Sequence, residues 1–223
     1  MKSDKPIPKC TFIFWICWKL TTLLNLIFFR FESYGSENVP QEGGVLLASN
    51  HASYIDPVII GDGCAHRPCH FLAREELFCL PGWKGWLISR LHTHAIKRDS
   101  ADRRALQVSR HVLNEGHALV LFPEGTRTQD GEFQEAKPGI GWIALNSDCI
   151  VIPTYVQGSY EAWPRHAKKF KWTKVRVFYG EPLDLTDLKK KMRFEKSDYE
   201  TATHRMMEEI KKLKEKAPPL PSK

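Results

Sequence analysis

The sequence predicts an α/β fold: a single domain with a mostly parallel central sheet flanked by helices, preceded by an N-terminal apolar, membrane-associating helical segment. Three observations predict it. From about Gly43 onward, short apolar runs alternate with amphipathic stretches, the pattern of strands joined by crossover helices. The run "ALVLF" at 118–122 is continuously apolar, as a strand covered on both faces must be. Ahead of all this lies the most biased stretch of the chain, "TFIFWICWKLTTLLNLIFF" from Thr11 to Phe29. At 223 residues, 42% hydrophobic and 26% charged, the chain has enough apolar material for one large core. It carries no internal repeat and no flexible linker. The economical division is a membrane-associating segment over 1–34, a main domain over 35–217 and a disordered tail over 218–223.

The N-terminal segment is close to the minimum for a bilayer span of about 20 residues. Its eleven Leu, Ile and Phe side chains favour insertion by roughly 3–7 kcal/mol, while Lys19 near its centre opposes it by about 3 kcal/mol. Thr11, Thr21, Thr22 and Asn25 weaken the balance further. Lys2, Lys5 and Lys9 favour a cytoplasmic N-terminus. The six cysteines form no disulfide framework and read as reduced thiols of a cytosolic setting. Both flanks then share one side of the membrane, which favours a monotopic anchor on the cytoplasmic face. A helix docked on the protein's own core is the competing reading. A cleaved signal peptide fits less well, because Lys19 interrupts the apolar run and no small-x-small site follows closely.

The elements follow in order. "GVLLAS" (44–49) reads as a buried strand ending in a polar turn, "HFLAR" (70–74) as a second strand and "THAIK" (93–97) as a weaker third. "SADRRALQVSRHVLNEG" (100–116) has a helical stripe of Ala101, Ala105, Val108 and Val112, with Ser100 as its cap and Gly116 as its stop. "ALVLF" is the fourth strand. "GIGWIAL" (139–145) is a short helix, and "CIVIPTYVQG" (149–158) a strand broken by Pro153. "KVRVFYG" (174–180) alternates at period two. A last helix runs from about Ser197 to Lys216, with Tyr199, Ala202, Met206, Ile210 and Leu213 on one side.

In such sheets, chemistry collects where strands end and helices begin. "SNHASYID" follows the first strand, Arg98 the third and "PEGTRT" (123–128) the fourth. A parallel sheet crowds them on one rim. His51 and Asp56, five residues apart, are the minimum apparatus for taking a proton from an alcohol. In "FPEGTR", Gly125 lets the backbone approach a ligand, Thr126 offers a hydroxyl and Arg127 presents a planar fork suited to phosphate. The competing reading of that block is a turn closed by a local Glu124–Arg127 ion pair. The net charge of +7 suits an anionic partner, be it nucleic acid, a phospholipid surface or a phosphorylated substrate.

The blocks "NHASYIDP", "FLAREELF", "IKR", "FPEGTRT", "AKPGIGWIA" and "VIPTYVQG" resemble, in order and spacing, those of the glycerolipid acyltransferase family. The best-known members of that family are the 1-acylglycerol-3-phosphate acyltransferases. The resemblance covers roughly residues 35–185. It implies transfer of a fatty acyl group from acyl-CoA or an acyl carrier protein, as co-substrate and with no bound cofactor, to the hydroxyl of a lysophospholipid acceptor. It makes residues 35–217 an acyltransferase domain. His51 becomes the general base and Asp56 the residue that fixes its tautomer, and direct transfer needs no acyl-enzyme. Arg127 and Arg98 match arginines that hold the acceptor's phosphate, and Glu124 orients the acceptor or the loop. Arg74 stands where the family often has lysine, and Lys137 is a further cation. Gly139 and the Gly125 loop are candidate oxyanion donors. The second block departs from the family pattern: "THAIKRD" lacks the usual glycine and phenylalanine, so the wall around Arg98 differs.

The expected product is phosphatidic acid. The alternatives are acylation of glycerol 3-phosphate or another lysophospholipid, or a non-catalytic lipid-binding protein on the same scaffold. Other clusters carry less. "CAHRPCH" (64–70) places four potential ligands too close together to wrap one tetrahedral ion, so no metal is expected. His92 and His94 fare no better. The tryptophans suit a membrane interface as well as base stacking, and no nucleic-acid motif accompanies them. "RHAKKFKWTK" (165–174) is either a solvated face or a contact for anionic lipid headgroups. No G-x-S-x-G elbow is present, which sets aside a serine lipase.

Overall fold

A computed structural model describes residues 11–96 and 101–221. Chain order is α1 (Phe12–Phe29), β1 (Glu32–Tyr34), β2 (Val45–Ser49), α2 (Asp56–Gly63), β3 (Cys69–Arg74), α3 (Trp83–Ile88), β4 (Thr93–Ile96), α4 (Ala101–Asn114) and β5 (Ala118–Leu121). There follow α5 (Gly139–Leu145), β6 (Ile150–Gln157), α6 (Ser159–Ala162), β7 (Arg176–Tyr179), α7 (Thr186–Lys189) and α8 (Lys196–Lys216). The seven strands form one sheet in the order β1-β7-β6-β2-β5-β3-β4. Every pairing is parallel except β6 with β7.

β2 is central because every one of its residues is buried, and its side chains divide by the period of two. Leu46 and Ala48 enter one core with residues of α4, α5 and α8, among them Val112, Ile143 and Met206. Val45 and Leu47 enter the other, with Ile59 and Ile60 of α2 and Phe29 of α1. The sheet is therefore covered on both faces, as its apolar runs demanded. Gly116, at φ +80°, stops α4 with its amide on the Leu113 carbonyl, the left-handed cap that glycine adopts without penalty. Ser100, expected to cap that helix, lies outside the described residues. A capping box of Glu195 and Asp198 starts α8.

Two expectations are corrected here. Pro153 does not break its strand. The Pro153 carbonyl faces Gly180 at 2.8 Å, so its missing N–H falls on the same side, beyond the end of β7, and costs no ladder bond to β2. The tail expected to be disordered from 218 is tied down at its start. The Pro218 carbonyl accepts from Gln157 and from Arg176, each at 3.0 Å, and the Pro219 carbonyl accepts from Arg176 at 3.3 Å.

α1 is long and apolar enough to cross a membrane by length and composition, yet one side of it is docked on the domain. Of its residues, Phe14, Asn25 and Phe29 are buried. The buried Asp62 of α2 accepts from Thr21 at 3.0 Å and from Asn25 at 2.6 Å. Two of the polar residues that weaken α1 as a bilayer span, Thr21 and Asn25, thus fasten it to α2. Burial raises the Asp62 carboxyl to about 6, since neutral donors replace only part of its lost hydration. The opposite face keeps Leu20, Leu23, Leu26 and Ile27 about half exposed.

Candidate active site

β2 delivers the chain to the rim, and Asn50 locks the exit. Its side chain donates to the Val156 carbonyl at 3.0 Å and accepts from the Val156 amide at 2.8 Å. The next residue, His51, turns its Nδ1 to Asp56 Oδ2 at 2.8 Å. The same oxygen accepts the backbone amides of Ala52 and Ser53, each at 2.7 Å. Asp56 opens the first turn of α2 and is sealed from solvent, where the helix N-terminus favours negative charge. A carboxylate acceptor assigns the proton to Nδ1 and leaves Nε2 as the basic nitrogen. The imidazole stacks on Phe122, ring centres 3.8 Å apart, and stays 17% exposed. This is a histidine fixed in tautomer and plane, with one nitrogen available to an alcohol.

The loop after β5 is joined to it. Glu124, almost fully buried, accepts the His51 amide at 3.1 Å on one oxygen and the Gln134 amide at 3.0 Å on the other. Thr128 donates its amide to the His51 carbonyl at 2.8 Å. The backbone of His51 is therefore clamped on both sides by the "PEGTRT" segment. Of the two roles expected for Glu124, orienting the acceptor or orienting the loop, its contacts are those of the second. Burial raises its carboxyl to about 6, against the opposing pull of those two amides.

Gly125 takes φ +67°, and the Lys137 side chain lies over it, with Lys137 Cδ 3.3 Å from where a Cβ would stand. Lys137 is itself anchored by its amide on the Pro123 carbonyl at 2.9 Å. Thr126 is exposed beside them. Arg127 does not pair with Glu124: its guanidinium lies over the Tyr54 ring, 3.4 Å from the centroid. Its Nη1 is buried with no hydrogen-bond partner among the described residues, an unmet donor of the kind an anionic oxygen satisfies.

The two hallmark blocks are thus brought together, and Lys137 joins them. Arg74 ends β3, exposed and two strands from β2. Arg98 lies outside the described residues. Gly139 opens α5. Sequence reasoning missed Phe122 and Tyr54. Both sit inside the quoted blocks, yet nothing in one-dimensional spacing marks a ring as a shelf for a neighbouring loop.

The histidines set aside earlier form a separate packed group. His70 lies 3.0 Å from His94 through ring nitrogens and stacks on His92, centroids 4.8 Å apart. Burial drives His70 down to about 2 and His94 to about 4. Among the described residues no group of three or more His, Cys, Asp or Glu is arranged to hold a metal ion.

Comparison with known proteins agrees with this geometry. The family profile described as Acyltransferase matches residues 30–157. The 1-acyl-sn-glycerol-3-phosphate acyltransferase of Bacillus subtilis is 30% identical over 155 residues, covering 69% of this chain and 74% of the relative. A probable 1-acyl-sn-glycerol-3-phosphate acyltransferase of Mycoplasma pneumoniae is 29% identical over 161 residues, 66% of this chain and 59% of that protein. The crystal structure of the 1-acyl-sn-glycerophosphate (LPA) acyltransferase PlsC from Thermotoga maritima superimposes with a TM-score of 0.73 at 26% identity, covering 92% of this chain and 81% of that one. The matched segment contains both the His51–Asp56 couple and the loop that clamps it, and on these grounds the chain belongs to the acyltransferase family.

Proposed function

We propose that the protein moves a fatty acyl group from an acyl thioester, of coenzyme A or acyl carrier protein, to the sn-2 hydroxyl of 1-acylglycerol 3-phosphate, giving phosphatidic acid for phospholipid synthesis. The observation that carries the reading is the 2.8 Å His51–Asp56 couple set beside the unmet donor of Arg127. A secondary alcohol is a weak nucleophile near neutral pH. His51 Nε2 takes its proton as the oxygen attacks the thioester carbonyl, and Asp56 stabilises the imidazolium that forms. The tetrahedral intermediate collapses, the carbon–sulfur bond breaks, and the imidazolium returns its proton to the departing thiolate. Arg127, with Lys137 and the arginines at 74 and 98, receives the acceptor's phosphate. No cofactor is needed, because the thioester itself supplies the activated acyl group.

The exposed flank of α1, with Leu20, Leu23, Leu26 and Ile27 outward, supports monotopic or peripheral attachment to a membrane, where the lysophospholipid acceptor resides; we place it on the cytoplasmic face, where the thioester donors are. The test is thiol release by the purified protein in detergent with palmitoyl-coenzyme A as donor. Lysophosphatidic acid, glycerol 3-phosphate and lysophosphatidylcholine are offered as acceptors in parallel. Release with lysophosphatidic acid alone is expected. Release with one of the others would keep the mechanism and replace the acceptor. Silence with both coenzyme A and carrier-protein donors would leave a non-catalytic lipid-binding scaffold.

A further inference from the structure

Residues 163–174, between α6 and β7, belong to neither buried core cluster and supply no group to the proton chemistry, yet they touch both the His51 loop and α1. At its start, Trp163 presents its carbonyl to Ser53 Oγ at 2.6 Å, and its ring lies 6.3 Å from Tyr54. Ser53 and Tyr54 stand between His51 and Asp56. A turn follows, held by the Ala167 amide on the Pro164 carbonyl at 3.0 Å and by the Trp163 indole N–H on the Ala167 carbonyl at 3.1 Å. At its far end the segment reaches α1. Phe28 meets the rings of Trp172 and Phe170, centroids 4.9 and 5.5 Å apart.

This loop is exposed and of one charge. Arg165, Lys168, Lys169 and Lys171 are all exposed, and no carboxylate among the described residues forms a salt bridge with them. Lys174, by contrast, is taken up by Glu32. No acidic residue occurs between Glu161 and Glu181. Trp172 is 68% exposed in the midst of these cations. An indole in water beside lysines and against an outward apolar helix is the composition of a membrane interface, where the ring sits at headgroup level and the ammonium groups meet lipid phosphates. A solvated face needs no tryptophan, and the continuity of the cations with the outward apolar flank of α1 favours a lipid surface.

We propose that loop 163–174 is a recognition surface for anionic phospholipid headgroups, which continues the exposed flank of α1 to the edge of the His51 site. It places the His51 loop over an anionic leaflet. The use of that placement rests on the acyltransferase reading; the binding of anionic headgroups does not.

The experiment is flotation of the full chain with vesicles of phosphatidylcholine alone or phosphatidylcholine containing phosphatidylglycerol, at low and high salt. The triple variant Lys168→Gln, Lys169→Gln, Lys171→Gln is compared with a control triple, Lys190→Gln, Lys211→Gln, Lys216→Gln, which changes net charge equally on exposed positions elsewhere. Wild type is expected to prefer anionic vesicles, less so in high salt. The loop triple loses roughly a hundredfold in anionic-vesicle affinity, about fivefold per lysine, while the control triple stays within a few-fold of wild type. Trp172→Ala weakens binding to both vesicle types alike, since insertion of the ring does not depend on lipid charge. Equal binding of wild type to the two vesicle types overturns the proposal, as does equal anionic affinity in the two triples. Turnover in neutral detergent separates the readings. The loop triple keeps wild-type thiol release there, and a wild type that binds vesicles but releases no thiol sinks the catalytic reading alone.

Discussion

Asp56 and Glu124 are almost sealed from solvent, and between them they accept the side chain of His51 and four backbone amides. Lys137, over the loop of Gly125, and Arg74, two strands away at the end of β3, are exposed, and Arg127 rests on a tyrosine ring with one nitrogen unmet. The contrast fits what the proposed reaction asks of each group. Moving a proton requires one tautomer in one plane, so its carboxylates are held by short bonds from rigid backbone. Holding a phosphate requires positive charge within reach of several oxygens, which longer side chains supply from many positions. If this division is right, damage to the buried half slows turnover and damage to the exposed half weakens acceptor binding.

The largest effect belongs to the buried half. His51→Ala removes the base and leaves Asp56 still bonded to two amides, so the fold persists. A fall in kcat of roughly 10²–10⁴-fold is expected, the range of general-base catalysis, with vesicle binding unchanged. A kcat near wild type in steady-state thiol release would abolish the distinction between the two halves. Arg127→Ala is the matching cut in the exposed half. Loss of a charge-assisted contact of about 1.5–3 kcal/mol raises the acceptor KM roughly 10- to 150-fold. The donor KM should stay put; a change confined to it would move the phosphate elsewhere.

Much of this was legible in one dimension, because strands buried on both faces must be apolar throughout and because two loops of fixed composition follow two of them. What stayed hidden has physical causes. α2 reads "DPVIIGDG", with one interior glycine, a second at its last position and a proline in its first turn. Its helix is settled by Ile59 and Ile60 packing under the sheet and by Asp56 at its first turn, tertiary terms that override propensity. Glu124 and Arg127 have the spacing of an ion pair, yet each takes a different partner, since backbone amides reach Glu124 first in the buried loop. Pro153 breaks only strands whose N–H is required, and which side that N–H faces depends on where β7 stops. The tail is held through Arg176, a partner 42 residues distant at Pro218.

Glu124 also makes the comparison testable by pH. Its folded carboxyl titrates near 6 against an ordinary 4.5, so between those values the native state binds more protons than the unfolded chain. Stability therefore falls as pH rises through that window, by about 2 kcal/mol from this group. Asp62, raised from 3.8 to about 6 by burial, adds in the same direction. Buried His70 and His94, lowered to about 2 and about 4, push stability the other way in the same window, so the quantity read is a difference. The denaturant midpoint of Glu124→Gln should rise relative to wild type as pH increases from 4.5 to 6, and that of Asp62→Asn likewise. The glutamine presents an amide where one of two backbone N–H groups needs an acceptor, so the variant is less stable by about 1–3 kcal/mol. A difference that stays flat across the window would mean that Glu124 is not the desolvated carboxylate its contacts describe.

The smallest effect tests the boundary between the halves. Tyr54 belongs by sequence to the loop of His51, and by contact to Arg127, whose guanidinium lies 3.4 Å over its ring. Tyr54 is itself 56% exposed, which places the interaction at the weaker end of cation–π energies, about 0.5–1 kcal/mol. Tyr54→Ala should raise the acceptor KM about two- to fivefold with kcat unchanged, and Tyr54→Phe, which keeps the ring face, should restore it. A role for the hydroxyl would leave the phenylalanine variant as impaired as the alanine one. A role in holding the His51 loop would lower kcat instead. Only the KM pattern with rescue by phenylalanine assigns Tyr54 to the phosphate side, as the surface on which the Arg127 guanidinium is laid.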